Sequence, residues 1–466
     1  MRMSLDRLRL LTAGSLLLAG TVLVADGTRF SDFTPLAASA GPIPVGDAAE
    51  ATPITFGNPL FEQRSIADRV TQLAANKPNS GDWDMITVNE TGSHKGRYLF
   101  TVFESDQSGV QRHDLLTGVT DTIWHSPAEG DHISFDPSYW TPWGTLVTGE
   151  ENWCDAPMLG LGCTTNIHGR LFELKNPIDA PGIVGAPNNI GAEFVHQNVI
   201  PRTSHEGIQW DQDGNMYFID ELNGGNIYKY TSAAKFVNVK SGKADYFEAG
   251  QTFVLRVGNG LTANATGPYI WVPITDATGA ALSGALTITD PNGVTSVDAR
   301  NTTNLSAFKG TDYQRPEDLV IQTVSGREYL YMATTTTNQV YRLDLKNNVI
   351  SVFADRNTFN LATSVAVGTA LANVDNLAVD NDGNLYIIED SNGGAGNDIW
   401  FAKDLNGDGD LTDLGEGIGR WASNGTQGSE FTGLYFDPTD SRRAWVNVQH
   451  PDSGNDRTIE ITIPKD

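Results

Sequence analysis

Two adjacent carboxylates, Glu150 and Glu151, close the segment Thr141–Trp153, which otherwise has the pattern of a short apolar strand. Acidic residues are poor strand formers, so such a pair indicates either an exposed turn or a cation site. The rest of the chain favours the cation site, because carboxylates stand in or beside short predicted strands in several later segments as well.

Four further predicted strands are preceded by polar residues at nearly equivalent places. If these strands lie side by side, their polar neighbours converge although they are distant in the sequence. Carboxylates gathered in this way repel one another unless cations lie among them, and hard oxygen ligands suit Ca²⁺. The alternative is that each carboxylate caps its own turn. The candidate metal ligands are Glu150, Glu151, Glu206, Glu317, Asp375, Asn376 and Glu430.

Two basic residues stand among these acids. Arg315 lies two residues before Glu317, and its planar guanidinium could hold a phosphate by paired hydrogen bonds or form a salt bridge to Glu317 or Asp318. His205 precedes Glu206 and could bind substrate, ligate a metal or act as a general acid, or it could be structural. We take Arg315, Glu317 and Glu206 as the catalytic candidates, and Arg315 and His205 as the substrate-binding ones.

A separate acidic loop resembles the first half of an EF-hand. Oxygen ligands stand at positions 1, 3, 5 and 7 with glycine at position 6, although position 12 is Gly415 and Glu416 comes one residue late. This spacing predicts a structural Ca²⁺ loop, with an unliganded polar turn as the alternative. Its candidate ligands are Asp404, Asn406, Asp408 and Asp410.

The composition limits the classes of partner. The 466 residues carry a formal net charge of −26, which argues against nucleic-acid and anionic-membrane partners. Hydrophobic residues make up 39% of the chain and charged residues 19%, as in a globular protein, and 48 glycines suit a turn-rich β protein. We expect a monomer that acts on a small molecule.

The N-terminus has the pattern of a secretory signal. A basic region precedes about sixteen mostly apolar residues that end at Ala25, which is short for a membrane span. We expect a signal peptide over residues 1–25, with cleavage near Ala25 or as late as Ala37–Ala40, no membrane span after its removal, and a periplasmic or extracellular protein; an uncleaved anchor is the alternative. Cys154 and Cys163 then predict a local disulfide, with metal ligation as the alternative.

Beyond the signal peptide, the chain consists mainly of repeated pairs of predicted strands. Residues 41–80 are predicted to be a leader with a helical patch near Gln63–Ala75. An apolar pair, a turn bearing Asp and Gly, and a second apolar strand then recur, most clearly in Ile208–Asp220 and Leu377–Glu389. About six copies predict an all-β, six-bladed β-propeller as one domain over residues 81–466, with an insertion at 240–305. Five or seven blades, or a β-sandwich, are the alternatives.

Taken together and in this order, the motifs resemble the PhoX-type alkaline phosphatase family. The resemblance implies a secreted six-bladed propeller that hydrolyses phosphate monoesters with calcium and ferric ions at the channel mouth. It also implies that Glu206 and Glu317 ligate metal, that Arg315 holds the phosphate, and that Glu150 and Glu151 lie in or beside the cluster. The motifs that carry it are Thr141–Thr145, Glu150–Asn152, His205–Gly207, Arg315–Glu317, Asp375–Asn376, Glu430–Gly433 and Val446–Pro451.

One position departs from the family. Its phosphatases have an iron-ligating cysteine just before the glutamate pair, where this chain has Gly149. We therefore expect several Ca²⁺ ions and leave Fe³⁺ open. The leading hypothesis is a secreted, metal-dependent phosphomonoesterase that uses a metal-bound oxygen as nucleophile. The alternatives are a calcium-dependent lactonase or phosphotriesterase with Asn376 and Glu206 at its calcium site, and a non-enzymatic, calcium-stabilised binding propeller.

Overall fold

Short antiparallel strands make up most of the computed structural model, which describes residues 27–152, 167–390 and 396–464. The predicted all-β propeller is confirmed. No helix among these residues is long and apolar enough to cross a membrane. The predicted signal peptide and the pair Cys154 and Cys163 lie outside the described residues.

Within the described ranges, six groups of four antiparallel strands follow one another around a central channel. We call these groups blades 1 to 6, and the predicted count of six stays our interpretation of them. Blade 1 has Trp83–Val88, Tyr98–Phe103, Gly109–Asp114 and Val119–His125; blade 2 has Tyr139–Trp140, Leu146–Gly149, Leu171–Leu174 and Phe194–His196; blade 3 has Ile208–Trp210, Asn215–Ile219, Ile227–Ser232 and Gly250–Val257. Blade 4 has Pro316–Val324, Arg327–Thr334, Gln339–Asp344 and Val349–Ala354; blade 5 has Val374–Val379, Leu385–Glu389, Asp398–Lys403 and Gly417–Asn424; blade 6 has Glu430–Phe436, Arg443–Gln449, Arg457–Thr462 and Glu62–Asp68.

The first strand of each blade lies innermost. The inner strand of blade 6 contacts those of blades 1 and 5, and blade 4 contacts blades 5 and 3 in the same way. Hydrophobic clusters fill the spaces between neighbouring blades, for example Tyr386, Trp421 and Val446 between blades 5 and 6. Burial of apolar side chains between sheets therefore supplies the core.

The predicted leader is wrong in part, because it contributes to the propeller. Strand Glu62–Asp68 pairs with Arg457–Thr462 and completes blade 6, so the two ends of the domain close one sheet. The helix in this region is limited to Arg69–Ala74 and begins at Asp68, whose side chain accepts the backbone N–H of Thr71. Strand Ile54–Phe56 pairs with the outer strand of blade 5.

The predicted insertion contains outer-strand structure of blade 3 together with extra elements. Gly250–Val257 pairs with Gly267–Pro273, which also pairs with blade 4. A small hairpin joins Thr287–Thr289 to Thr295–Val297. The remaining strands are Asn223–Gly225, Tyr313–Gln314, Phe359–Asn360 and Val365–Ala366, and the remaining short helices are Asp47–Glu50, Phe236–Lys240, Ala299–Thr302 and the 3₁₀ turn Gly368–Ala370.

The repeated Asp-Xaa-Asp-Gly-Asn sequence has a local cause. In blade 3 the side chain of Asp211 accepts the backbone N–H of Asn215 at 2.8 Å, and the intervening Gly214 has φ +86°. In blade 5 Asp380 accepts from Asn384 at 2.9 Å in the same way. Aspartate thus fixes the turn and glycine supplies the left-handed residue, so that each turn returns the chain into the second strand.

Candidate metal centre

A cavity of about 440 Å³ opens at the mouth of the channel, and nearly all of its polar lining is acidic. Ten carboxylates face it, against one arginine and one histidine. Its lining comprises Asp84, Glu104, Asp136, Glu151, Glu206, Glu221, Arg315, Glu317, Asp375, Asp390, Gly428, Glu430, Thr432 and His450.

The blades supply these side chains from two equivalent places. The first is the start of the inner strand, or just before it, which contributes Asp84, Asp136, Glu206, Glu317, Asp375 and Glu430. The second lies just beyond the end of the next strand, which contributes Glu104, Glu151, Glu221, Asp390 and His450 to the lining, with Thr335 at this place in blade 4. The fold thus gathers distant residues into two layers around the channel.

β-Bulges occur in the inner strands close to these carboxylates. The pairing register shifts after Trp83 in blade 1, after Pro316 in blade 4 and after Val374 in blade 5, and the next residue in each strand is a cavity carboxylate. A bulge bends its strand and redirects a side chain. The carboxylate can therefore face the channel mouth while the rest of the strand keeps its apolar face in the core.

Three carboxylates form the tightest group. Single oxygens of Glu206, Glu221 and Glu317 all lie within 4.8 Å of one another, and all three side chains are buried. The hydroxyl of Thr335 lies within hydrogen-bonding distance of Glu317 and 3.0 Å from the backbone oxygen of Val374, and its single proton can be donated to either. This spacing allows one cation to contact three oxygens from blades 3 and 4.

The cavity holds carboxylates that its protein surroundings do not satisfy. Oε2 of Glu206, Oδ1 of Asp136 and Oδ1 of Asp390 are buried without a hydrogen-bond partner among the described residues. Burial raises the pKa of Asp84 to about 8, with a further contribution from Glu151. Burial, followed by the charges of Glu317 and Asp375, raises the pKa of Glu206 well above its usual range. Buried unpaired oxygens of this kind fit cation ligands, because bound cations would remove the repulsion.

Arg315 stands in this acidic lining at the junction of blades 3 and 4. Its Nε donates to Oε1 of Glu221 at 2.8 Å and lies 3.2 Å from Oε1 of Glu317. Its φ is +53°, a left-handed conformation uncommon for a residue with a Cβ. The backbone N–H of Arg315 donates to Leu222 at 3.1 Å, and its oxygen accepts from Thr335 at 3.1 Å. The two neighbouring blades therefore fix the backbone that aims this guanidinium.

His450 is the other basic group of the lining. Its Nδ1 lies 2.7 Å from the backbone oxygen of Gly428, and its Nε2 lies 2.9 Å from Oε1 of Glu430. The hydrogen bond to Glu430 is the main cause that raises the pKa of His450 to about 10. Burial in turn raises the pKa of Glu430, so blade 6 presents a carboxyl group and an imidazole that are joined by a hydrogen bond and share protons.

Five of the seven ligands predicted beside the inner strands come together at this cavity. Glu151, Glu206, Glu317, Asp375 and Glu430 line it, together with Arg315. Their roles stay predictions, but their convergence is a property of the fold.

Glu150 is placed differently from its neighbour. It is fully buried outside the cavity lining, where one carboxylate oxygen accepts from Arg170 Nε at 2.9 Å and the other lies 3.1 Å from Nδ1 of His168. Burial opposes ionisation, but the hydrogen bonds from His168 and Arg170 outweigh it and lower the pKa of Glu150. Glu150 therefore forms a buried ion pair within blade 2 rather than facing the channel.

His205 is also outside the lining. Its ring is buried, its Nδ1 lies 2.9 Å from Oγ1 of Thr203, and burial lowers its pKa to about 3, so that it is neutral. A Cβ built on Gly149 would lie 2.7 Å from Cβ of His205. The imidazole thus occupies the space beside Gly149, and its Nε2 is buried without a hydrogen-bond partner among the described residues, so the role of His205 stays a prediction.

Two further predicted groups lie away from the cavity lining. Oδ1 of Asn376 accepts the backbone N–H of Gly433 at 2.8 Å, and Asn376 is not among the residues that line the cavity, so its role as a calcium ligand stays a prediction. The loop from Asp404 to Asp410 lies beyond the outer part of blade 5 and is closed by its own hydrogen bonds, including Gly407 to Asp404 at 2.7 Å. Its Ca²⁺ stays a prediction.

Six of the twelve charged residues in the lining were not predicted from the sequence. Asp84 and Asp136 begin inner strands whose repeat copies are loose, and the second layer follows strands whose ends carry no motif. The sequence did contain a signal for the second layer. Each acid missed there follows an apolar strand, either immediately or after one intervening residue, as Glu151 does. The missed residues are Asp84, Glu104, Asp136, Glu221, Asp390 and His450.

The family model described as alkaline phosphatase PhoX matches residues 140–452, more than half of the chain. PhoX from Pseudomonas fluorescens, solved in complex with the transition-state analogue vanadate, is 16% identical, with a TM-score of 0.61 over 92% of this chain and 98% of that one. This likeness shows a shared fold. No curated protein matches the sequence.

Two other solved structures are less similar. A putative phosphatase from Bacteroides thetaiotaomicron is 11% identical, with a TM-score of 0.44 over 83% of this chain and 72% of that one. A gluconolactonase from Xanthomonas campestris is 12% identical, with a TM-score of 0.42 over 93% and 97%. Likeness at this level carries no argument about function.

Proposed function

Because the chain belongs to the PhoX alkaline phosphatase family and is a phosphatase-type hydrolase, we propose that it is a secreted phosphomonoesterase whose activity depends on several Ca²⁺ ions. One observation carries the proposal: ten carboxylates converge on a single cavity that also contains Arg315. The predicted secretory signal supports export, and Ca²⁺ is abundant outside the cytoplasm.

The residues present fit calcium. Ca²⁺ takes six to eight oxygen ligands in flexible geometry, and the lining offers carboxylates from all six blades. Glu206, Glu221 and Glu317 would hold one ion, and the remaining carboxylates offer ligands for others. The thiolate that the family resemblance implies for iron is not supplied at position 149, where His205 fills the adjacent space. We therefore propose calcium and route no step through iron.

Arg315 is proposed to bind the phosphate. Glu221 and Glu317 hold the Nε edge of the guanidinium, which fixes its direction before substrate arrives. A planar guanidinium can then pair with two phosphate oxygens and stabilise the charge that develops during transfer. When bound, the cations would neutralise the phosphate and activate the oxygen nucleophile.

The test is hydrolysis of p-nitrophenyl phosphate by the purified protein. We expect turnover at alkaline pH, loss of turnover after EDTA, and recovery with Ca²⁺ alone. Absence of turnover with Ca²⁺, Fe³⁺ or both would refute a phosphomonoesterase. Recovery that requires Fe³⁺ would keep the reaction and refute the calcium-only centre.

A further inference from the structure

The segment from Arg29 to Pro53, here called the strap, crosses blades 5 and 6 before the chain enters its first long strand. Near its start, Phe30 is only 3% exposed. The ring of Phe30 packs against Trp421 at 5.9 Å and Phe436 at 5.3 Å between ring centroids. Nε1 of Trp421 donates to the backbone oxygen of Phe30 at 2.9 Å. The strap thus begins inside the core between two blades.

The next part of the strap is hydrogen-bonded along the outer strand region of blade 5. The backbone N–H of Leu36 donates to the oxygen of Arg420 at 2.9 Å. The hydroxyl of Ser39 donates to Asp398 at 2.7 Å. Cleavage within Ala37–Ala40 would therefore cut a segment that the folded protein holds on both sides of the cut.

The strap then packs around the loop of residues 425–429, which leads into Glu430 at the cavity. The backbone N–H of Ile43 donates to the oxygen of Gly425 at 2.8 Å, and the N–H of Gly425 donates to Pro53 at 3.0 Å. Nε2 of Gln427 donates back to the oxygen of Ile43 at 2.8 Å. A Cβ on Gly425 would lie 2.9 Å from Ile43, so the strap packs on this glycine without space for a side chain.

A buried carboxylate ties the strap to the loop of residues 450–456, which joins the second and third strands of blade 6. Glu50 is 2% exposed, and its Oε2 accepts from the hydroxyl of Ser453 at 2.7 Å. The loop of residues 425–429 leads into Glu430, and the loop of residues 450–456 begins at His450. Glu430 and His450 pair with each other and line the cavity. Both loops that carry the blade 6 side of the metal centre are thus bonded to the strap.

We propose that the strap stays in the mature protein, so that signal cleavage falls before Arg29, and that its segment from Ile43 to Glu50 positions Glu430 and His450 at the cavity. Glu50 is a positioning residue in this scheme, because it acts through the loop of Ser453. The proposal rests on the contacts of the strap and goes beyond the proposed function, since it names the N-terminal boundary of the working protein and the support of one wall of its cavity.

The first test compares proteins that begin at Gly27 and at Gly41. In EDTA, where neither cations nor substrate contribute, we expect the thermal midpoint of the shorter protein to be lower by about 5 °C or more, because it lacks the buried Phe30 ring. Should the shorter protein fail to fold, Phe30→Ala in the longer one should still lower the midpoint. Equal midpoints for both comparisons, or an exported full-length chain whose intact mass begins at Gly41, would overturn the proposal.

The second test separates positioning from general stability. Glu50→Ala should raise the free Ca²⁺ concentration needed for half-saturation by about 3-fold or more, measured by calorimetric titration with Ca²⁺ alone. Glu62→Ala, an exposed carboxylate on the outermost strand of blade 6, is the matched control and should leave it unchanged. A Glu50→Ala protein with the affinity of the control refutes the positioning role. Because the readout is Ca²⁺ binding, an inactive but Ca²⁺-binding protein would refute the phosphatase proposal alone.

Discussion

The guanidinium of Arg315 donates two hydrogen bonds to the same oxygen of Glu221, from Nε at 2.8 Å and from Nη2 at 2.5 Å. The two residues come from blades 4 and 3. The backbone N–H of Arg315 donates to Leu222, the neighbour of Glu221, and the backbone N–H of Glu221 donates to Ser204 of its own blade. The pair therefore joins the proposed phosphate-binding group to the tightest carboxylate cluster, and loosening one should disturb the other.

Arg315→Lys should lower kcat/KM for a phosphomonoester by about 10- to 100-fold. Lysine keeps the charge but loses the planar fork that can hold two phosphate oxygens and Glu221 together. Steady-state kinetics should show the loss in both KM and kcat, because the guanidinium is proposed to hold the bound phosphate and the charge that develops during transfer. Arg64→Lys, at a pair with Glu460 on the outer side of blade 6, is the control. Unchanged kinetics for Arg315→Lys would exclude a role in phosphate binding.

Glu317→Gln should remove at least one Ca²⁺ per chain and lower kcat/KM by about 100-fold or more, because amide oxygen is a weaker ligand than carboxylate. Elemental analysis and kinetics on the same preparation measure both effects. Glu328→Gln, at the far end of the same hairpin in blade 4, should change neither. A variant that keeps all its calcium would place the ion elsewhere in the cavity.

Chelation should make stability depend on pH. In the metal-free protein the buried Asp84 has a raised pKa of about 8, so the folded state holds protons that the unfolded chain has released above about pH 4. Stability then falls as the pH rises from about 4 to 8, by roughly 1.4 kcal/mol per pH unit for each such group. Thermal unfolding in EDTA across this range should show the fall, and Ca²⁺ should abolish most of it. A stability that rises with pH in EDTA would contradict the acidic-cavity account.

Gly149→Cys should destabilise the protein by about 1–3 kcal/mol and should not create an iron site, because the new Cβ would meet the ring of His205. The double variant Gly149→Cys with His205→Gly should recover part of the loss, because it removes the Cβ of His205 that lies nearest as well as the ring. Gly41→Cys, where a Cβ meets open space, controls for the added thiol. Iron bound by the single variant, seen by elemental analysis, would contradict this prediction.

Glu150→Ala should lower the free energy of unfolding by about 3–5 kcal/mol, since it leaves the buried Arg170 without its carboxylate. Asp312→Ala breaks a partly exposed pair with Lys309 and should cost about 1 kcal/mol or less. Chemical denaturation measures both. If Glu150→Ala instead keeps its stability and loses calcium, Glu150 is a ligand after all.

Much of this arrangement could be predicted from the sequence, and the reason lies in its turns. Asp211 and Asp380 fix equivalent hairpins, so their copies align the strands, and residues such as Glu317 and Asp375 fall in register before the inner strands. The choice between Glu150 and Glu151 could not be predicted. Adjacent residues of a strand face opposite sides, and which side meets the channel depends on how the blade is oriented in the ring.

The second layer of cavity residues was harder to predict from the sequence, because no local motif marks it. Glu104 and Glu221 follow ordinary apolar strands, and only the pairing of those strands with an inner neighbour brings their carboxylates to the channel. The contribution of Glu62–Asp68 to blade 6 was equally hidden, because its partner strand lies about 395 residues further along the chain.

That closure has a consequence for the order of events during maturation. The first strand of the propeller and the last one share a sheet, so the ring cannot shut until the whole chain has emerged. Closing so long a loop has a high entropic cost, which makes it a late step of folding. Glu430 and His450 belong to the blade that shuts last. If the protein is exported as proposed, the centre would therefore acquire its full complement of ions only after the whole chain has crossed the membrane.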